Sequence, residues 1–178
     1  LYPQNLKQFE QWGTITYFSP LEDKTFPIQP DLLYLPGGYP ELHLETLSNN
    51  TTLLRQIHTY AQNGRILAEC GGMMYLGRTI TDKSDKAWPM ASVLDISTSM
   101  QPARLSIGYR TVRLNGETLK GHEFHFSQPT TASPHIADIR NVRDEPVSTT
   151  LFYRPGLLAT YAHVYWGEDS TPLKNLLA

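Results

Sequence analysis

The sequence has one cysteine in 178 residues, Cys70. One cysteine cannot close an internal disulfide, which suits a reducing cytoplasm. It also excludes a zinc site built from several cysteines, and no metal site is expected. An excess of charge is lacking too. Fifteen Lys and Arg stand against 17 Asp and Glu, a formal net charge of −2. No electrostatic case follows for nucleic acid or for an anionic membrane surface. No apolar run is long enough to span a bilayer. Internal repeats, low-complexity tracts and inter-domain linkers are missing. The start, Leu1-Tyr2-Pro3-Gln4-Asn5, is neither a signal peptide nor an initiator-methionine context, and it reads as the cut edge of a longer protein. What remains is a globular composition, 40% hydrophobic and 18% charged, in a length that suits a single domain over residues 1–178.

The lone cysteine lies in Arg65-Ile-Leu-Ala-Glu-Cys-Gly-Gly-Met-Met-Tyr-Leu-Gly77. Ile66, Leu67 and Ala68 read as a buried parallel strand, and Met73 to Leu76 as a helix. A cysteine between the two stands at a strand-to-helix corner, the geometry that presents a nucleophile. A helix start with free N–H groups favours the thiolate. The positions two before and two after such a nucleophile must be small, and here they are Ala68 and Gly72. A lone cysteine is most often a buried structural residue. Paired glycines have no purpose beside a structural cysteine, so the nucleophile is preferred.

Along the chain, Pro3 to Trp12 has helical spacing (Leu6, Phe9, Trp12) and Gly13 stops it. Thr14 to Phe18 is β-branched and aromatic, a predicted strand. Ser19 to Pro30 is a polar connection, and Asp31 to Leu35 is a second buried strand. Glu41 to Leu47 has room for one or two helical turns. Asn49 or Asn50 caps an amphipathic helix to Gln62, with Leu53, Leu54, Ile57, Tyr60 and Ala61 inward and Asn63-Gly64 as the stop. Strands and helices thus alternate through the first half, which predicts an α/β fold with a mostly parallel open sheet covered by helices on both faces. Thr79 to Pro89 reads as a polar loop. Strand-like runs follow at Ala91 to Met100, Ser106 to Leu114 and Gly121 to Ser127. Asn115-Gly116 signals a hairpin, so the second half is expected to be more antiparallel. Gln128 to Pro134 is a polar loop, and Ile136 to Val147 is a strand and a turn. Arg154-Pro155-Gly156 is a turn, Leu157 to Tyr165 a strand, and Ser170-Thr171-Pro172 opens a last short helix to Leu177.

The strand at Leu35 runs into Pro36-Gly37-Gly38-Tyr39-Pro40-Glu41. Glycines at the carboxyl end of a strand leave N–H groups open to an anion. Alone, the segment is an ordinary tight turn. Beside the Cys70 corner, Gly37 and Gly38 become candidates for an oxyanion hole, with the Gly71 N–H as another donor. A thiol nucleophile needs a base, normally histidine. Of six histidines, His43, His58 and His135 suit the surface. His122 and His125, three apart on a strand, face opposite ways and cannot share a metal. Spacing leaves His122, His125 and His163 all open as the base.

Several segments occur here in a familiar order: Tyr2-Pro-Gln-Asn-Leu6, Leu35-Pro-Gly-Gly-Tyr-Pro-Glu-Leu-His43, Ala68-Glu-Cys-Gly-Gly-Met-Met-Tyr-Leu76, Ile107-Gly-Tyr-Arg110, Gly121-His-Glu-Phe-His-Phe-Ser127 and Tyr161-Ala-His163. Together they resemble the C-terminal glutaminase domain of the cobyrinic acid a,c-diamide synthases, a class I glutamine amidotransferase-like domain with a flavodoxin-like three-layer sheet. The resemblance covers essentially the whole chain. The hydrogenobyrinic acid enzymes are similar enough to stand as an alternative.

This resemblance implies that Cys70 attacks the side-chain amide of glutamine. A thioester forms, ammonia leaves, and water releases glutamate. His163 would be the base and Gly37, Gly38 and Gly71 the oxyanion hole. The domain itself would need no cofactor. Ammonia would pass to an N-terminal synthetase domain of the same full-length chain, where ATP and Mg2+ activate the a- and c-carboxylates of the corrin. That domain lies outside this sequence, as does the first sheet strand of the glutaminase domain. Tyr39, Glu41, Glu69, His122 and His125 fall to the substrate pocket or to the interface with the synthetase. Class I amidotransferases usually carry a glutamate two residues after the histidine. That position is Tyr165 here, which leaves the imidazole without an assigned partner. Glu69 is expected to face away from the nucleophile, as a paired charge beside the corner or as support for the glutamine pocket. Two readings compete with the glutaminase: a non-catalytic docking domain, and a cysteine peptidase on the same corner architecture.

Overall fold

A computed structural model describes residues 2–130 and 136–178. His135 and the last four residues of the predicted Gln128–Pro134 loop lie outside the described residues. In chain order the elements are α1 (Pro3–Trp12), β1 (Leu32–Leu35), α2 (Leu44–Asn49), α3 (Thr51–Tyr60), β2 (Arg65–Glu69), α4 (Gly71–Leu76), β3 (Thr79–Thr81), β4 (Ala87–Pro89), β5 (Ser97–Ser99), β6 (Ser106–Leu114), β7 (Glu117–His125), β8 (Gln128–Pro129), β9 (Asp138–Arg140), β10 (Leu151–Arg154), β11 (Leu157–Thr160), β12 (His163–Tyr165) and α5 (Thr171–Leu177).

The central sheet has the order β1-β2-β11-β10. β1, β2 and β11 are parallel, in the register Leu33↔Ile66↔Leu157 and Leu35↔Ala68↔Ala159, and β10 runs antiparallel at the edge. β2 is buried at every residue but Arg65, as a strand covered on both faces must be. Alternation then divides its side chains between two cores. Leu33, Leu35, Ile66, Ala68, Leu157 and Ala159 pack against α2, α3 and α4. Leu67, Leu158 and Tyr34 face the other way, toward Phe9 and Trp12 of α1, Leu173, Leu176 and Leu177 of α5, and Val164 and Trp166. Helices therefore cover both faces, as the alternating pattern predicts. No helix among the described residues is long and apolar enough to cross a membrane.

A second sheet, β12-β7-β6-β9, is antiparallel. The β6–β7 hairpin turns at Asn115-Gly116, both at positive φ (51° and 82°), as the predicted turn requires. A third, small sheet has the order β4-β3-β5-β8.

Four expectations are corrected. Thr14 to Phe18 forms no strand. It lines one wall of an apolar groove of about 600 Å³ whose other wall includes Leu32, Leu33 and Tyr34 of β1, so it lies beside the end strand of the central sheet without pairing to it. Thr79 to Pro89 is a hairpin, not a loop, because β3 and β4 pair over three residues. Within Ala91 to Met100 only Ser97–Ser99 pairs. Leu157 to Tyr165 is two strands in two sheets. The chain leaves the central sheet after Thr160, turns at Tyr161 and Ala162, and enters the second sheet as β12. In addition, Asn50 stands at the start of α3 without a side-chain cap. Its amide instead donates to Pro20 O (3.0 Å) and Asp23 O (2.8 Å), pinning the Ser19–Pro30 connection.

Candidate active site

Cys70 has φ 46° and ψ −112°, a backbone conformation that L-residues rarely hold and that costs on the order of 1–3 kcal/mol. It is enforced from both sides. The Cys70 N–H donates to Thr160 O of β11 (2.8 Å), and the Cys70 carbonyl accepts from Met74 N–H of α4 (3.0 Å). The glycines after it serve a purpose that the sequence does not show. A methyl on Gly71 would lie 2.6 Å from Gly38 O, and one on Gly72 would lie 2.7 Å from Leu35 Cβ. They let the start of α4 touch the end of β1, which joins the Pro-Gly-Gly loop to the cysteine corner.

Gly37 marks the meeting point. Its φ of 101° suits glycine alone, and a methyl there would lie 2.9 Å from His163 Cε1 and 3.5 Å from Cys70 Cβ. Cys70 and His163 therefore flank one spot at the carboxyl ends of β1 and β2. Cys70 is only 8% exposed, and its sulfur lies 3.9 Å from Phe124 O. Burial pushes the thiol up to about 11; a hydrogen bond from the Gly71 N–H opposes this, and Glu41, Glu123 and Glu69 add to it. The expectation of a thiolate is thus corrected for the resting state. Desolvation outweighs the start of a helix only six residues long. Such a thiol needs a base that takes its proton as it attacks.

His163 opens β12, directly across from His122 of β7. The two rings stack at 5.1 Å and 21°, and His122 Nδ1 shares a hydrogen bond with Tyr2 Oη (2.7 Å). Burial first, then the neighbouring His163, holds His122 below the usual histidine range, so it backs His163 as a neutral ring. His163 Nδ1 is buried and makes no hydrogen bond. Glu69 Oε2 lies 3.5 Å from it. Glu69 is 1% exposed, with Oε1 accepting from Val164 N–H (2.9 Å) and Oε2 from Tyr34 Oη (2.8 Å). The carboxylate thus lies beside the histidine, a pairing that the sequence did not point to.

His125 takes a different position. It is buried, with Nε2 2.7 Å from Glu123 Oε1 and Nδ1 2.8 Å from Ser127 O. Glu123 Oε2 also accepts from Arg110 Nε (2.7 Å) and Thr149 Oγ1 (2.8 Å). The His125 ring stacks on Tyr161 at 3.7 Å, and Tyr161 Oη bonds Ser127 Oγ, which donates to Met74 Sδ of α4. This network braces the hairpin against the cysteine helix. Glu123 is a buried partner that sequence reasoning missed; the signal was its place between His122 and His125, on the inward face of an alternating strand. Tyr39 is 65% exposed and Glu41 half-buried on the loop above the corner. His43 and His58 are exposed. Among the described residues, no group of three His, Cys, Asp or Glu could hold a metal ion.

A buried thiol with the Gly71 N–H against it and a histidine beside it has the groups that acyl transfer from an amide requires. Comparison with known proteins narrows the family. A model of the CobB/CobQ-like glutamine amidotransferase domain matches residues 1–171. The chain is 35% identical to the cobyrinate a,c-diamide synthase of Herminiimonas arsenicoxydans, over 94% of this chain and 39% of that protein. It is 34% identical to the Salmonella typhimurium protein of the same name, over 99% of this chain and 41% of that one. It is 33% identical to the hydrogenobyrinate a,c-diamide synthase of Rhodobacter capsulatus, over 94% and 41%. The chain thus spans about 40% of the length of these relatives. A solved glutamine amidotransferase shares the fold, with a TM-score of 0.50 at 18% identity over 75% of this chain and 70% of that one. The chain belongs to the family of CobB/CobQ-like glutamine amidotransferase domains.

Proposed function

We propose that Cys70 and His163 hydrolyse the side-chain amide of glutamine, and that the ammonia amidates the a- and c-carboxylates of cobyrinic acid elsewhere in a longer protein. The observation that carries this reading is the shared spot at Gly37, flanked by the strained Cys70 and by His163. The Cys70 thiol gives its proton to His163 as sulfur attacks the amide carbon. The N–H groups of Gly71 and of the Gly37-Gly38 loop receive the developing oxyanion. The C–N bond breaks and His163 returns the proton to the departing ammonia. Water then attacks the thioester, which frees glutamate and restores the thiol. Tyr39 and Glu41, on the loop over the corner, border the glutamine pocket.

The names of the relatives support the acceptor, and the length they share supports a division of labour. This chain supplies ammonia, and the remainder of the protein, an N-terminal synthetase domain, would hold ATP, Mg2+ and the corrin. A free thiol suits the reducing cytoplasm. Hydrogenobyrinic acid is the second reading for the acceptor, favoured by the Rhodobacter relative at nearly the same identity, 33%. The test mixes the full-length protein carrying this chain with glutamine, ATP and cobyrinic acid and measures glutamate and diamide. Cys70→Ala is expected to lose glutamine-supported synthesis and keep synthesis from added ammonia. Retained glutamine-dependent synthesis overturns the cysteine assignment.

A further inference from the structure

We propose that Glu69 is the carboxylate that orients His163, so that the acid precedes the nucleophile by one residue instead of following the base. This rests on the glutaminase reading above. A histidine that takes a proton at one ring nitrogen needs an acceptor at the other, which fixes the tautomer and stabilises the imidazolium. His163 Nδ1 is buried without a hydrogen bond, and the carboxylate facing it, at 3.5 Å, belongs to Glu69. The position two residues on, Tyr165, offers no carboxylate, and its ring packs edge-on to Tyr2.

Strand alternation explains how Glu69 reaches this place. Ala68 faces the α2–α3–α4 core. Glu69 therefore faces the opposite core, with Tyr34 beside it and Val164 above. Cys70 then turns out of the strand at its strained corner. β12 crosses over this point, so His163 meets the acid on one side and the nucleophile's corner on the other. Adjacent residues thereby serve one base from two directions, an order that only the crossing of the two sheets makes possible.

The surroundings of Glu69 suit this role. Among the described residues its one ion-pair partner is His163. Its remaining partners, the Val164 N–H and the Tyr34 hydroxyl, are neutral donors that hold the carboxylate in place. Burial, then the charge of Glu69, holds the Tyr34 phenol protonated far above the ordinary tyrosine range. The other titratable groups near the pair are Cys70, His122 and Tyr2. His122 is kept neutral as described, and Tyr2 is raised by burial and by Glu69. When the Cys70 proton arrives at His163, the imidazolium pairs with a carboxylate already in place. Nδ1 keeps its proton toward Glu69, and Nε2 carries the proton from sulfur to ammonia.

The full-length protein tests this with Glu69→Gln, Glu69→Asp and Cys70→Ala, each assayed with glutamine and with ammonia. Removing the orienting acid of a comparable triad costs up to about 10⁴-fold. Glu69→Gln is expected to lower kcat with glutamine by at least ~100-fold. KM for glutamine and the ammonia-supported rate should change less than about threefold, and Glu69→Asp should recover part of the loss. A kcat within about threefold of the parent in Glu69→Gln overturns the proposal. If Cys70→Ala retains glutamine-dependent synthesis, the glutaminase reading itself fails. Loss in Cys70→Ala with retention in Glu69→Gln sinks the Glu69 assignment alone. Should Glu69→Gln fail to fold, 15N-histidine NMR of the unaltered protein decides, with His163→Gln assigning the signal. A proton on Nδ1 supports the assignment, and a neutral ring protonated on Nε2 overturns it.

Discussion

A methyl group on Gly72 would lie 2.7 Å from Leu35 Cβ and closer still to the Leu35 carbonyl oxygen. The obstacle is the backbone of β1, which cannot move without leaving its pairing with β2. Gly72→Ala should therefore push α4 away from the Pro-Gly-Gly loop. A loss of about 1–3 kcal/mol is expected, read as a lower urea midpoint, together with slower glutamine hydrolysis. A variant as stable and as active as the parent would show that this approach has slack.

The strain at Cys70 gives a second expectation. Replacing a residue by glycine ordinarily destabilises through the unfolded chain, by roughly 0.4–1 kcal/mol relative to alanine. At φ 46° the order should reverse. Cys70→Gly is expected to be more stable than Cys70→Ala by about 1 kcal/mol, since it sheds strain of on the order of 1–3 kcal/mol. Both variants should be inactive with glutamine. Paired denaturation curves settle the order, and a less stable glycine variant means that the corner is relaxed.

The thiol itself should respond to alkali. Its folded value, about 11, lies above the ordinary 9.0. Folding therefore favours the protonated form. That contribution is whole below about pH 9 and is lost as pH rises through about 11. Tyr34, Tyr75 and Tyr161 are raised by burial in the same direction. Urea stability should accordingly fall on the alkaline side. Alkylation of Cys70 by iodoacetamide, followed by mass spectrometry, should keep accelerating beyond pH 9. A rate that levels off near pH 8 would contradict the desolvated thiol.

Glu123 sets the acid limit. Burial raises its carboxyl, but hydrogen bonds from His125 and Thr149, with the charges of His125 and Arg110, more than reverse this and leave it below the ordinary carboxylate value. Its contribution is complete above that ordinary value and disappears as pH falls through the lower folded one. Glu123→Ala strands Arg110 and His125 in a buried site, a loss of about 3–5 kcal/mol. Glu123→Gln should keep the hydrogen bonds in part and lose less. Equal losses from the two would assign the effect to packing instead of charge.

Much of this architecture was legible in the chain. α1 and α3 have unbroken helical spacing with a glycine stop, β1 and β2 are short apolar runs ending in glycine-rich corners, and Asn115-Gly116 admits little but a hairpin. The misses have physical causes. Thr14 to Phe18 has the composition of a strand, but it lies beside the end strand β1 without joining its ladder, and composition does not distinguish the two outcomes. Leu157 to Tyr165 is apolar throughout, so nothing in its pattern marks the point where it changes sheets. Along its own strand Glu69 reads as a side chain turned away from Cys70, and its partner could not be read there because His163 arrives on another sheet. The thiolate expectation counted the helix start and omitted the desolvation that only the packed corner imposes.

The turn at Tyr161 and Ala162 makes the separation of Cys70 and His163 a local dimension. Cys70 hangs by its N–H from Thr160, and His163 is the third residue beyond that same threonine. The Thr160 hydroxyl also accepts from Ala162 N–H (3.2 Å), which ties the connecting turn back on itself. Three residues thus act as a fixed ruler between two sheets. Sequence change in the outer strands of either sheet leaves the ruler untouched. One residue inserted between Thr160 and His163 would leave both sheets able to form while moving the imidazole out of step with the Cys70 thiol.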